Sequence, residues 1–279
     1  RTKMQMRKQR LPLNRQKNLS MASKSDELMT FGEHLDVLRK MLFRVMGLTL
    51  AMAVGVFCLK DEVFGWLLAP HDSSFCTFRA IETACRWAGV DFHFEPFKVT
   101  LISTELSAQF MTHLSTSVYL GLLLASPYVV YELFAFIAPA LYEREKRVAR
   151  VIVVVVYVLF FLGVVMSYFV LFPISFRFLA TYQVSGMIQN TITLDSYIST
   201  FTTLTFMMGL VFQLPVVTYF LGRLGLVSRS LLKHYRRHAF IVIVVVAAFI
   251  TPPDVFTLIL VALPMYLLYE ASIWLVKDA

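Results

Sequence analysis

Charge is what this chain has least of. Of its 279 residues, 16% are Asp, Glu, Lys or Arg and 58% are apolar. Soluble domains average roughly 25% charged, so the deficit excludes a disordered chain and argues against a soluble enzyme. Cysteine is also scarce, and three residues exclude a disulfide scaffold. Eleven glycines and ten prolines are too few for a collagen-like chain. Between Val151 and Arg177 no acid or base other than tyrosine occurs. Long apolar runs fill these gaps, and they mark a polytopic membrane protein.

The net charge is +8, and its placement decides its meaning. Divided at the apolar runs, Lys and Arg fall 21 on one side and 5 on the other. The positive-inside rule then makes residues 1–44, 139–150, 223–237 and 277–279 cytoplasmic, both termini included. The basic excess reports orientation, and no nucleic-acid partner is expected. Residues 1–20 hold seven Lys or Arg and no apolar core, so they do not read as a signal peptide. Residues 1–27 read as a disordered basic tail touching anionic lipid, with Met21 as a natural start. Residues 28–276 read as the membrane domain.

Six spans are expected, near 41–59, 110–138, 148–172, 197–221, 239–250 and 255–276, in an all-α fold. Val63 to Ala69, ended by Pro70, is too short to cross and reads as interfacial, with Trp66 as anchor. Pro127 is expected to kink the second span, Pro173 to end the third and Pro215 to interrupt the fourth. Thr251-Pro252-Pro253-Asp254 separates the last two runs. The fifth would extend only about 18 Å at 1.5 Å per residue, against a hydrocarbon core of about 30 Å. Two crossings in a thinned bilayer fit, as does a re-entrant pair; two crossings are favoured.

Candidate sites are few. Cys76 and Cys85 share the segment between the first two spans, where a disulfide is open but spacing alone cannot establish it. His234 and His238 have i, i+4 spacing but lie among arginines, and no metal site is expected. Acids gathered near the cytoplasmic face are more informative: Glu33 and Asp36 before the first span, Glu132 inside the second, and Glu145 in the connector after it. Such a cluster suits a cationic ligand, above all arginine, whose planar fork bonds carboxylates in pairs. Glu270 and Gln213 are polar groups inside spans. An intramembrane carboxylate is costly and by default a functional candidate.

Several separated motifs resemble the TatC family, the multispanning subunits of the twin-arginine protein translocase. They are His34-Leu35-Asp36-Val37-Leu38-Arg39, Phe134-Ala135-Phe136-Ile137-Ala138-Pro139-Ala140-Leu141-Tyr142 followed by Glu145, Ser167-Tyr168-Phe169 with Phe172-Pro173, Thr251-Pro252-Pro253-Asp254-Val255-Phe256 and Pro264-Met265-Tyr266. The resemblance covers about residues 28–276. It implies a concave, glove-like bundle of six helices with short fifth and sixth spans in the bacterial cytoplasmic membrane. It further implies a receptor for twin-arginine signal peptides of folded cargo, with no enzymatic activity and no cofactor. The expected partners are single-span TatA- and TatB-like subunits, with further copies of the chain in the complex and the protonmotive force as the drive.

Carried over residue by residue, the resemblance places signal-arginine contact on Glu145 and the same recognition surface on Phe136. A second family acid falls on Val37, which cannot accept a hydrogen bond. Asp36 or Glu33 is therefore expected to compensate, beside Arg39. Family contacts for single-span partners fall on Thr251, Ala248 and Leu258, a less polar edge than in other members. A two-component system with one TatA-like partner fits that edge. The competing reading is a secondary transporter using Glu270 and helices broken at Pro127 and Pro215, although no inverted repeat supports it. An intramembrane hydrolase would have to use His113, the only histidine within a span, and its Ser and Thr neighbours read as packing.

Overall fold

The computed structural model describes residues 31–91, 93–95, 97, 99–137, 146–185, 190–223 and 225–276. It divides into two compact units, residues 1–44 and 45–279. Helix α1 is Phe31–Cys58, and the short α2 is Lys60–Leu68, followed by a tight turn at Ala69–His71 and by α3, Cys76–Trp87. Helix α4 is Ala108–Ile137, α5 is Lys146–Met166 and α6 is Phe172–Thr181. Beyond them come α7, Leu194–Val211, and α8, Leu214–Arg223. Helices α9 (Arg229–His234), α10 (Arg236–Ile250) and α11 (Val255–Leu275) complete the order. Among the described residues the fold is helical apart from one parallel pair, β1 (Leu101–Ile102) with β2 (Ile192–Thr193). The tail at 1–27 lies outside the described residues, as does Pro139.

The third span does not stop at Pro173. Helix α5 passes through a π turn at Ser167–Leu171 into α6, so one helical run reaches Thr181. A π turn shifts the bonding partner by one residue, and here the Phe172 N–H bonds the Ser167 carbonyl. Pro173 then sits at the start of α6, where a missing N–H is tolerated. The fourth span breaks at Phe212 and Gln213 into α7 and α8, with Pro215 at the second residue of α8. Helix α4 continues through Pro127, and the Ser126 hydroxyl bonds the Leu123 carbonyl at 2.6 Å, the acceptor that Pro127 leaves without an N–H.

Among the described residues, five helices or continuous runs are long and apolar enough to cross a membrane. Helix α10, with 15 residues, falls below that length at about 22 Å. Helix α11 has 21 residues, an ordinary crossing length, so the shortness expected of the last two runs is confined to α10. The Asp254 carboxylate caps α11 by accepting the Thr257 N–H at 2.6 Å. That cap explains why the Pro-Pro-Asp break is followed at once by a helix.

Within the second unit, helices approach through small residues. A methyl on Gly163 would lie 2.5 Å from the Met208 carbonyl oxygen, and one on Gly121 would lie 2.6 Å from the Ala53 nitrogen. Such contacts suit membrane helices, which associate by close packing. The core gathers Leu171, Phe172 and Phe176 with Tyr197, Phe201 and Leu204, and Met208 is fully buried. Outward faces are the reverse: Phe249 is 85% exposed and Leu162 52%. A soluble protein would not leave so many large apolar side chains uncovered.

Residues 60–107 form the connection between the first two crossings. Arg177, at the far end of the third span, stacks on Phe94, Phe97 and Phe78 at 4.4, 4.7 and 5.2 Å, and its Nη2 donates to the Glu95 carbonyl at 2.8 Å. The turn before α3 is held by Asp72, which accepts the Ser74 N–H at 2.8 Å. That bond keeps the Asp72 carboxyl below the usual carboxylate range. Cys76 and Cys85 are both free thiols on α3. Nine helical residues separate them by about 13 Å and turn them to opposite faces, beyond the roughly 7 Å limit for a disulfide. The open disulfide is thereby excluded.

Candidate functional site

In the first unit, Asp36, Val37 and Arg39 are exposed on α1. The Asp36 carboxylate pairs with Lys40 at 2.8 Å, one turn along the helix, and Arg39 stands 5.8 Å over the Phe43 ring. Both partners are exposed, where water and salt screen an ion pair, so Lys40 is a weak competitor for that acid. Glu33 belongs to the same helix. Val37 is 36% exposed.

In the second unit, Phe136 is half-buried near the end of α4. One turn earlier Glu132 is buried and accepts the Tyr128 hydroxyl at 2.5 Å. Glu145 lies outside the described residues.

The two intramembrane polar groups are both engaged. Glu270 on α11 pairs with Arg236 at the start of α10 at 2.7 Å and accepts the Tyr266 hydroxyl at 3.0 Å. Nearby, the Tyr269 hydroxyl donates to the Leu232 carbonyl of α9 at 2.8 Å. Glu270 thus ties α10 to α11, which is not the open cation site that a transporter would use. Gln213, at the break between α7 and α8, donates from Nε2 to the Val156 carbonyl of α5 at 3.0 Å.

On the proposed partner edge, Thr251 is buried and its hydroxyl bonds the Ala247 carbonyl of its own helix at 3.0 Å. Ala248 is exposed and Leu258 half-buried. His113 stacks on Phe57 at 4.1 Å, in an aromatic setting with no acid among its ring contacts. His234 and His238 are exposed. Among the described residues no group of three His, Cys, Asp or Glu could hold a metal.

Sequence reasoning missed an apolar cavity of about 680 Å³ in the second unit. Val63, Trp66 and Leu67 of α2 form one wall, Tyr119 and Leu123 of α4 another, and Tyr168 of the π turn a third. Its lining is scattered over four segments, each of which reads on its own as ordinary span or interface.

Crossing-length apolar helices and lipid-type outward faces define a multi-pass helical membrane protein. Residues 33–264 match the family described as Sec-independent protein translocase protein (TatC). The chain belongs to that family, whose members are translocase components rather than enzymes. A TatC protein of Blattabacterium is 32% identical over 251 residues, covering 88% of this chain and 94% of that one. One from Desulforapulum autotrophicum is 34% identical over 254 residues, covering 90% and 85%. A crystal structure of a twin-arginine translocase receptor, TatC, is 30% identical with a TM-score of 0.69, covering 87% of this chain and 97% of that one.

Proposed function

We propose that this chain is the receptor of a twin-arginine translocation system, binding signal peptides of folded proteins at the cytoplasmic face of the bacterial inner membrane. The observation that carries this reading is the family match over residues 33–264, which spans both motif-bearing segments, around Asp36 and around Glu145. The distribution of Lys and Arg, 21 to 5, supports cytoplasmic termini and a cytoplasmic Glu145 connector. Glu145 is the main acceptor of the signal arginines, and Asp36 or Glu33 stands in for the acid replaced by Val37. Phe136 and Arg39 complete the surface. TatA- and TatB-like single-span subunits dock along the edge that carries Thr251, Ala248 and Leu258, and copies of the chain associate in a complex driven by the protonmotive force.

A signal peptide with a photoreactive group beside its paired arginines should crosslink close to Glu145. Glu145→Gln should weaken that capture about tenfold, the scale of one charge-assisted hydrogen bond. Replacing both signal arginines with lysine should abolish it, because lysine cannot reproduce the bidentate fork. Equal capture of the lysine peptide would sink the receptor reading.

A further inference from the structure

Helix α3 has three sides, and only one of them packs on the rest of the second unit. Thr77 and Phe78 are buried, and Ile81, Glu82 and Cys85 are half-buried. At about 100° per residue these five share one arc of the helix. A second arc is exposed and uncharged: Cys76, Ala80, Ala84 and Trp87, the last 92% exposed. A third arc is exposed and basic, carrying Arg79 and Arg86.

Contacts with the third span orient these arcs. At one edge of the packed arc, the Thr77 hydroxyl donates to the Phe169 carbonyl. At the other edge, Glu82 accepts the Phe94 N–H at 2.8 Å, and the Phe94 ring carries the Arg177 guanidinium at 4.4 Å. At 1.5 Å per residue, Arg177 stands about 12 Å farther along the helical run than Phe169. The uncharged arc adjoins the Thr77 edge, and the basic arc adjoins the Glu82 edge. The first therefore turns back along the span, and the second turns beyond it.

The same span gives the depth. Counted from Arg150, the last charge before the apolar run, a hydrocarbon core of about 30 Å ends near Val170. Phe169 and Val170 are exposed, whereas no residue from Leu171 to Ala180 is. At this level the Tyr168 hydroxyl meets the Trp66 carbonyl at 2.8 Å, and Trp66 is 75% exposed. Tyr and Trp gather at membrane–water boundaries. Helix α3 thus starts at the edge of the hydrocarbon, its uncharged arc toward the bilayer and its arginines toward water. Tryptophan on one face and arginine on another is the pattern of a helix lying in the membrane surface.

We propose that α3 is an interfacial helix whose partner is the phospholipid headgroup layer, with Trp87 at the boundary between headgroups and acyl chains and with Arg79 and Arg86 at the phosphates. This placement stands whether or not the chain is a receptor.

Trp87 can report on it directly. The chain has three tryptophans, so Trp66→Phe with Trp274→Phe leaves Trp87 as the only emitter. In phospholipid nanodiscs its emission should be blue-shifted from that of indole in water. A nitroxide on the lipid headgroup should quench it more than one near the acyl end. Water-like emission, quenched by iodide and by neither lipid nitroxide, overturns the proposal. Blue-shifted emission that neither nitroxide quenches also overturns it, because Trp87 would then lie against protein, a second copy included. Stronger quenching by the deep nitroxide overturns it as well, by placing the helix in the hydrocarbon. If the tryptophan variants do not accumulate, spin labels decide. In a chain carrying Cys58→Ser, Cys76→Ser and Cys85→Ala, a label at Ala84→Cys should collide more with oxygen than with a water-soluble nickel chelate. A label at Arg86→Cys should show the reverse, and the same preference at both positions overturns the proposal.

Discussion

The connection at residues 60–107 and the α10–α11 pair are held in different ways. The connection is fastened by directional bonds at single atoms: Tyr168 on the Trp66 carbonyl, Tyr197 on the Leu67 carbonyl, Thr77 on the Phe169 carbonyl and Arg177 on the Glu95 carbonyl. The α10–α11 pair relies mainly on apolar packing, with one helix cap, one ion pair and the Tyr266 and Tyr269 hydroxyl bonds at its Glu270 end, and leaves Phe249 85% and Ile241 61% exposed. Directional bonds fix a position, whereas an exposed apolar face accepts whatever apolar neighbour arrives. The difference divides the second unit into a region that holds still and one suited to lipid and to changing partners.

Substitutions should rank the two regions. The largest loss is expected from Tyr197→Phe, which leaves the buried Leu67 carbonyl without its hydroxyl donor and should cost about 1–3 kcal/mol. Unfolding of the purified chain in mild detergent would measure it, and a change below a few tenths would erase the contrast. Asp254→Ala removes the cap of α11 and should cost about 1 kcal/mol, with little effect on protease cleavage within residues 60–107. Glu270→Gln breaks a half-exposed pair with Arg236 and should cost at most about 1 kcal/mol. A larger loss there would mean that the α10–α11 pair depends on directional bonds around Glu270 after all.

Much of this architecture was legible because hydropathy has a long reach. Runs such as Val151 to Phe176 announce a span whatever surrounds them, and the Pro-Pro-Asp break announces a helix start. Pro173 misled because a proline is read as an ending, and only the π turn lets the helix pass it. The fastening bonds were not legible: Thr77 and Phe169 are 92 residues apart, and nothing local in either marks the other. The candidate site came from motifs rather than from geometry. Asp36 is where the sequence led, exposed on α1. The cysteine pair failed for a simple reason, since one helix carries both thiols and its own rise keeps them apart.

The parallel pairing of Leu101–Ile102 with Ile192–Thr193 has a consequence for biosynthesis. The first strand is made before the second and third crossings, and its partner only after both. At about 5–20 residues per second, the roughly 90 intervening residues impose a wait of several seconds or more. Tyr197, made later still, completes the fastening of Leu67. The helices can therefore enter the membrane one after another, but this face closes late, and a nascent chain stalled before residue 192 would present an unfinished face to quality-control proteases.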